Sequence, residues 1–122
     1  MLKNNELFVL DFEHCIADVL KGDTQALSSR LDKDPSLIFT QSQYGHKATL
    51  LHYTANNGVE MWRQQVPENL VEIIQLLLSK GANKDVKMNV YGGQFTTFQL
   101  LSTSAHHSIA GIDNDSLHKL FS

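Results

Sequence analysis

Cysteine is almost absent from this chain: Cys15 is the only one among 122 residues. A single cysteine forms neither an internal disulfide nor a cysteine-rich zinc framework, and it suits a reducing compartment. We therefore expect a cytoplasmic protein in which Cys15 is a small buried residue on a helix. No apolar run approaches the ~20 residues that span a bilayer, and acidic residues interrupt the N-terminal stretch where a secretory signal would be apolar.

Excess positive charge is also missing. Ten basic and thirteen acidic residues give a net charge of −3, and no run of basic residues forms a local patch. Because nucleic acids and anionic membranes attract proteins through such patches, we expect neither of them as a partner. The hydrophobic content of 42% is instead typical of a globular chain, and the length suits one domain spanning residues 1–122.

Motifs of catalysis and metal binding are missing as well. No histidine pair has the i, i+4 spacing of a helical zinc site, and the adjacent His106 and His107 would diverge on a helix. The sequence has no G-x-S-x-G elbow, and Gly92-Gly93 lacks the spacing of a phosphate-binding loop. We expect no catalytic residue, no metal and no cofactor. A small hydrolase that uses His52 or His106 is the weakest functional alternative.

The chain does contain one-sided helical patterns. In segment 67–83 one helix face carries apolar residues at i, i+3, i+4, i+7 and i+8: Leu70, Ile73, Ile74, Leu77 and Leu78. Gly81 ends this predicted helix. A shorter helix is predicted over 49–57, with Thr49 as its N-cap and Gly58 as its stop.

Two further helices are predicted near the N-terminus. Segment 8–23 places one apolar face on Phe8, Phe12, Cys15, Ile16, Val19 and Leu20, and a Gly-Asp turn follows. In the next segment, 23–35, Asp23 is the expected N-cap and Asp34-Pro35 the terminator, with Leu27 and Leu31 facing inward. These two helices form a predicted pair, like the helices of segments 49–57 and 67–83.

The helix pairs repeat along the chain. The stretch YGHKATLLHYT begins at Tyr44, and YGGQFTTFQLL begins 47 residues later at Tyr91. This shift aligns tyrosine with tyrosine, glycine with glycine and the capping Thr49 with Thr96, while Gln99 falls where His52 stands. Three units are predicted at about 5–40, 41–87 and 88–122.

The middle unit resembles the ankyrin repeat family. Its G(HKA)TLLHYTANNG and LVEIIQLLLSKGAN are similar to that family's glycine turn, T-P-L-H-x-A-A helix start, V-E-I-V-x-L-L-L helix and closing G-A-D/N. The resemblance implies an all-α fold, an ankyrin-like stack of about three helix-turn-helix repeats joined by extended hairpin-like turns. The family period is about 33 residues, so a spacing of 47 implies a long insertion between the two helices of the middle repeat, at 59–69.

The resemblance also assigns structural roles. It implies that His52 hydrogen-bonds Thr49 and the backbone of an adjoining turn, fixing one repeat against the next. Gly58 and Gly81 are the corresponding structural glycines at the ends of the two helices. On this interpretation His52 belongs to the scaffold.

By the same resemblance, partner contacts come from the turns and from the exposed end of the first helix. The predicted residues are Tyr44, His46, Lys47, Asn56, Asn57, Tyr91, Gln94 and Phe95. Trp62, in the insertion, either covers the end of the helix pair or contacts a partner directly. The leading hypothesis is a non-enzymatic module that binds an unidentified partner protein through a rigid concave surface.

The alternative to that hypothesis is assembly. The apolar residues of the last predicted helix, Leu117, Leu120 and Phe121, have no following repeat to cover them. Since end repeats normally have a polar outer face, this predicts self-association through the C-terminal helix, or a terminal fragment of a longer repeat protein.

Overall fold

A computed structural model describes residues 4–55, 59–64, 67–103 and 114–121. The helices are α1 (Asn4–Lys21), α2 (Thr24–Lys33), α3 (Leu50–Tyr53), α4 (Leu70–Ser79), α5 (Thr97–Thr103) and α6 (Asn114–Leu120). Two antiparallel strands, β1 (Lys87–Val90) and β2 (Gly93–Thr96), lie between α4 and α5, and 3₁₀ turns occupy Pro35–Phe39 and Met61–Arg63. Within these ranges, every helix is too short or too polar to cross a membrane.

The β-hairpin makes the all-α prediction wrong, because the fold mixes helices with a two-stranded sheet. Val90 pairs with Gly93, which leaves a two-residue turn at Tyr91 and Gly92. Both turn residues have positive φ, 54° and 73°, as a type I′ turn requires. Four-residue strands are too short for apolar alternation to stand out, so the sequence predicted only an extended turn.

The N-terminal pair forms as the sequence predicts, except that α1 begins at Asn4, four residues before the predicted segment. Gly22 follows α1 with a φ of 77°, and the Asp23 carboxylate accepts the N–H of Ala26 (3.1 Å) to cap α2. On the predicted inward faces, the buried residues are Phe12, Cys15, Ile16, Val19, Leu20, Leu27 and Leu31. The side chain of Phe8 lies outside the described part of the chain.

The middle helices are shorter than predicted. α3 has all four of its residues buried and is followed by a turn at Thr54 and Ala55. Its predicted stop, Gly58, lies outside the described residues. α4 starts at Leu70, and the Asn69 side chain, instead of capping α4, donates to the Gly22 carbonyl (2.9 Å). This bond ties the start of α4 to the turn between α1 and α2.

α4 ends at Gly81 as predicted. Gly81 has a φ of 98°, which glycine adopts without strain. Its N–H donates to the Leu78 carbonyl (3.1 Å), and the N–H of Ala82 donates to the Leu77 carbonyl (3.0 Å). These two bonds form the Schellman motif that satisfies the last carbonyls of a helix.

The helices pack in pairs, and the first two pairs lie side by side. α1 packs on α2, α3 on α4 and α5 on α6, while α1 also contacts α3 and α2 contacts α4. A continuous apolar core runs through these elements, from Leu27 through Leu51 and Ile74 to Leu101. Met88 of β1 is fully buried in the same core, so the hairpin packs against the helices.

The C-terminal helix differs from its prediction. Phe121 is buried against the ring of Phe98 (centroids 5.8 Å apart), and Lys84 Nζ donates to its carbonyl (3.0 Å). The predicted exposure of Phe121 is therefore wrong; Leu120 is half-buried, and the side chain of Leu117 lies outside the described residues. The burial of Phe121 weakens the argument for self-association, which relied on uncovered apolar residues in this helix. Self-association stays an untested prediction.

Candidate functional site

Thr49 and His52 bind each other at the start of α3. Nδ1 of His52 accepts the backbone N–H of Thr49 (3.1 Å) and lies 2.9 Å from the Thr49 hydroxyl. The hydroxyl in turn accepts the backbone N–H of His52 (3.4 Å). This reciprocal pair is a capping box in which a histidine takes the usual place of glutamate or glutamine.

The same capping arrangement recurs 47 residues later. The N–H of Thr96 donates to Gln99 Oε1 (2.8 Å), and the N–H of Gln99 donates to the Thr96 hydroxyl (3.3 Å). The side-chain oxygen of Gln99 thus accepts the N–H of the capping threonine at α5, as Nδ1 of His52 does at α3. The repetition noted in the sequence is present in the hydrogen bonding of two helix starts.

His52 is completely shielded from solvent. Burial lowers its pKa to about 4, while the backbone groups of Val86 and Phe95 act in the opposite direction. Neither group meets hydrogen-bond geometry at Nε2, which has no partner among the described residues. Nδ1 is already bonded to Thr49 and Nε2 is shielded from solvent, so neither nitrogen is accessible to a substrate and the hydrolase alternative gains no support here. Its other candidate, His106, lies outside the described residues.

A polar cluster that the sequence did not predict surrounds Glu60. Its side chain is 4% exposed and accepts hydrogen bonds from the Tyr53 hydroxyl (2.9 and 3.0 Å) and the Arg63 guanidinium (2.7 Å). His46 Nε2 also contacts this carboxylate. Since Nδ1 of His46 accepts the N–H of Ala48 (3.0 Å), the ring proton is assigned to Nε2, facing Glu60. These donors compensate a carboxylate that would be costly to bury alone.

Arg63 extends this cluster to α1. Its second guanidinium nitrogen pairs with Glu13, and the guanidinium carbon lies 6.0 Å from the ring centroids of both Tyr53 and Trp62. Burial lowers the pKa of Arg63 and raises the pKa of the Tyr53 hydroxyl. We define the Glu60 network as Glu13, His46, Tyr53, Glu60 and Arg63. It joins α1, the turn at residues 42–48 (the first turn), α3 and the insertion.

Two aromatic rings lie on this network and face solvent. Tyr44 stacks on the His46 ring (5.8 Å between centroids, planes 29° apart), and Trp62 meets Tyr44 edge-on (6.1 Å, 69°). Tyr44 is 46% exposed and Trp62 is 69% exposed. Of the two interpretations of Trp62, burial over the helix pair is thus disfavoured. We call Tyr44 and Trp62 the aromatic pair.

The first turn and the β-hairpin lie side by side. The turn is closed by bonds from Ser42 N–H to the Ala48 carbonyl (2.7 Å) and from Lys47 N–H to the Tyr44 carbonyl (3.0 Å). Asn89 N–H of β1 then donates to the His46 carbonyl (2.7 Å). The two turns differ in detail, because the left-handed residue of the first is Lys47 (φ 57°) and not the glycine that the alignment suggested.

The residues predicted to contact a partner fall into three groups. Those exposed are Tyr44, Lys47, Trp62, Tyr91 and Gln94. Phe95 is half-buried with its ring against Tyr91 (6.5 Å), and His46, 11% exposed, belongs to the network beneath the surface. Asn56 and Asn57 lie outside the described residues. The exposed members occupy the first turn, the insertion and the hairpin.

The sequence offered one signal for the missed network. Glu60 and Arg63 stand three residues apart on either side of Trp62, a spacing that allows the two charges to pair. Their partners Glu13, His46 and Tyr53 are too distant in sequence for any local pattern to include them. Across the described ranges, no group of histidine, cysteine, aspartate and glutamate side chains is arranged to hold a metal ion. Comparison with family models, curated proteins and solved structures gives no match, so the ankyrin resemblance of the middle unit stays a prediction.

Proposed function

We propose that this chain is a non-enzymatic module that binds a partner protein, as the ankyrin resemblance of its middle unit predicts. The contact surface is the aromatic pair together with the hairpin tip at Tyr91. The observation that supports this proposal best is the exposure of Tyr44 and Trp62 above a buried, hydrogen-bonded network. Rings on a fixed base lose little entropy on binding, and tryptophan and tyrosine are enriched among residues that dominate binding energy.

Tyr91 supports the proposal independently. It is a bulky residue in the left-handed region (φ 54°), where glycine, asparagine or aspartate is favoured in a type I′ turn. This conformation costs about 1 kcal/mol, and the side chain is 68% exposed, so burial within the chain compensates little of that strain. Tyr91 therefore presents a large exposed ring to a partner from a fixed position at the tip of the hairpin.

The same proposal places the module in the cytoplasm. Cys15 is fully buried, and its burial, with a smaller effect from the charge of Asp18, raises the pKa of the thiol to about 12. A thiol so shielded is unreactive and behaves as an apolar core residue. It is compatible with the reducing compartment that the cysteine content predicted.

Replacing either ring of the aromatic pair should weaken partner binding. We expect W62A and Y44A each to reduce affinity about tenfold or more, equivalent to about 1.4 kcal/mol, because each change removes a large preorganised contact. The partner is first identified by photo-crosslinking from a probe placed at Gln43, an exposed neighbour of the pair. Affinities of the purified partner for each variant are then measured by calorimetry.

The matched control for this experiment is F39A. Phe39 is an equally exposed aromatic residue (64%), but it lies on the 3₁₀ turn next to Gly81 and outside the proposed surface. F39A should bind as the wild type does. If W62A and Y44A bound as tightly as F39A, the surface assignment would be wrong.

Exchanging Tyr91 for asparagine should stabilise the fold and at the same time weaken partner binding. Asparagine tolerates the left-handed conformation, so Y91N is expected to raise the free energy of unfolding by about 0.5–1 kcal/mol. The same variant should bind the partner more weakly than the wild type. Chemical denaturation measures the first effect and calorimetry the second. Unchanged binding by a stabilised Y91N would remove Tyr91 from the contact surface.

A further inference from the structure

We propose that Glu60 is the positioning residue of the aromatic pair: its buried carboxylate fixes both exposed rings in one arrangement. The importance of that arrangement for binding rests on the function proposed above. The geometry itself is internal to the chain. It can therefore be tested without any partner.

The position of Trp62 is fixed by hydrogen bonds between the residues that flank it in the sequence, Glu60 and Arg63. Glu60 precedes it by two residues, and Arg63 follows it directly. The Arg63 N–H donates to the Glu60 carbonyl (2.9 Å), which closes the short 3₁₀ turn, and the two side chains pair at 2.7 Å. Because Arg63 also pairs with Glu13 of α1, this turn is fastened to the helical core, and the Trp62 ring projects from a fixed backbone.

Tyr44 is held through His46. The His46 ring is fixed at both nitrogens, by the Ala48 N–H at Nδ1 and by Glu60 at Nε2. It offers its face to Tyr44, whose plane lies 29° from that of the imidazole. Each ring of the pair is thus one contact away from a direct partner of Glu60.

Glutamine at position 60 would keep the size of the side chain and change its hydrogen bonding. A carboxylate accepts at both oxygens, whereas an amide accepts at one and donates at the other. In E60Q the amide N–H₂ would face at least one donor among His46, Tyr53 and Arg63, and the charge of Arg63 would lose its buried counterion. We therefore expect E60Q to release the insertion and the His46 ring while the apolar core persists.

The single tryptophan makes the effect directly observable by NMR. In the wild type, a nuclear Overhauser effect should connect the Trp62 indole protons with the Tyr44 ring protons, since the centroids are 6.1 Å apart. E60Q should lose this effect and sharpen the Trp62 indole N–H signal. The matched control is E72Q, at an exposed glutamate of α4, which should leave both signals unchanged.

A second variant covers the case in which E60Q does not fold. R63K keeps the positive charge at a partly exposed position, but lysine lacks the forked guanidinium that reaches Glu60 and Glu13 together. It should weaken the same Overhauser effect in a folded protein. Retention of the full effect in folded E60Q, or in R63K if E60Q is unfolded, would overturn the proposal. Loss of the effect with unchanged partner binding would support the positioning role and contradict the argument that a fixed arrangement of the two rings strengthens binding.

Discussion

Lowering the pH from 7 to 4 is expected to reduce the free energy of unfolding by about 3 kcal/mol through His52 alone. The pKa of His52 is about 4 in the folded chain, against an ordinary value of about 6.5 for an unfolded histidine. Between these values the unfolded state binds more protons, so stability rises with pH. The contribution is complete above about pH 6.5 and is lost as the pH falls through the folded-state pKa. Each pKa unit corresponds to about 1.4 kcal/mol.

Denaturant unfolding at several pH values between 4 and 7 measures this effect, and H52Q isolates it. Glutamine is a suitable replacement because Gln99 makes the same capping bonds with Thr96. We expect H52Q to lose about 1–2 kcal/mol at pH 7 from poorer packing and hydrogen bonding, yet to show a flatter dependence on pH. Q75A, which changes an exposed residue of α4 that does not titrate, should retain the wild-type slope. Equal slopes for the wild type and H52Q would contradict the prediction.

Truncating Met88 should destabilise the chain as strongly as truncating a core helix residue. Met88 is fully buried, so M88A is expected to lower the free energy of unfolding by about 2–5 kcal/mol through lost burial and the cavity left behind. K87A changes the exposed neighbour on the same strand and should have an effect within about 0.5 kcal/mol. Thermal and chemical denaturation of both variants provide the test. Similar small effects for both would mean that the hairpin is not docked on the core.

The helices that the sequence predicted best are those whose signals are local. Asp23 caps α2 through an atom three residues away, and Gly81 ends α4 through bonds within its last turn. The predicted segment began at Pro67, three residues before α4, and Asn69 at the N-cap position bonds with the distant Gly22 instead of capping the helix, a contact that no window of sequence contains. β1 was missed because its one fully buried residue, Met88, cannot establish an alternating pattern.

In the candidate site too, contacts within one segment were predicted from the sequence, and contacts between distant segments were not. The Thr49–His52 bond was predicted by the resemblance to ankyrin repeats, and the structure contains it within one helix start. For Trp62 the sequence left two alternatives, covering the helix pair or contacting a partner, and its 69% exposed side chain beside Tyr44 disfavours the first. Glu60 was not singled out at all, because an acidic residue in an insertion usually lies in solvent. Its burial depends on donors from three other segments, which come together only in the folded chain.

The bond between Asn69 and Gly22 spans 47 residues, the same distance as the shift that relates the two tyrosine-glycine turns. Two further polar contacts have a similar reach: Lys80 with Asp32 across 48 residues and Arg63 with Glu13 across 50. All three join the first predicted unit to the second. During synthesis, each of these contacts can therefore close once about one further unit has left the ribosome, because loop closure of this size carries a moderate entropic cost. Folding can therefore begin at the N-terminal helix pair and extend to the second unit while the rest of the chain is still being synthesised.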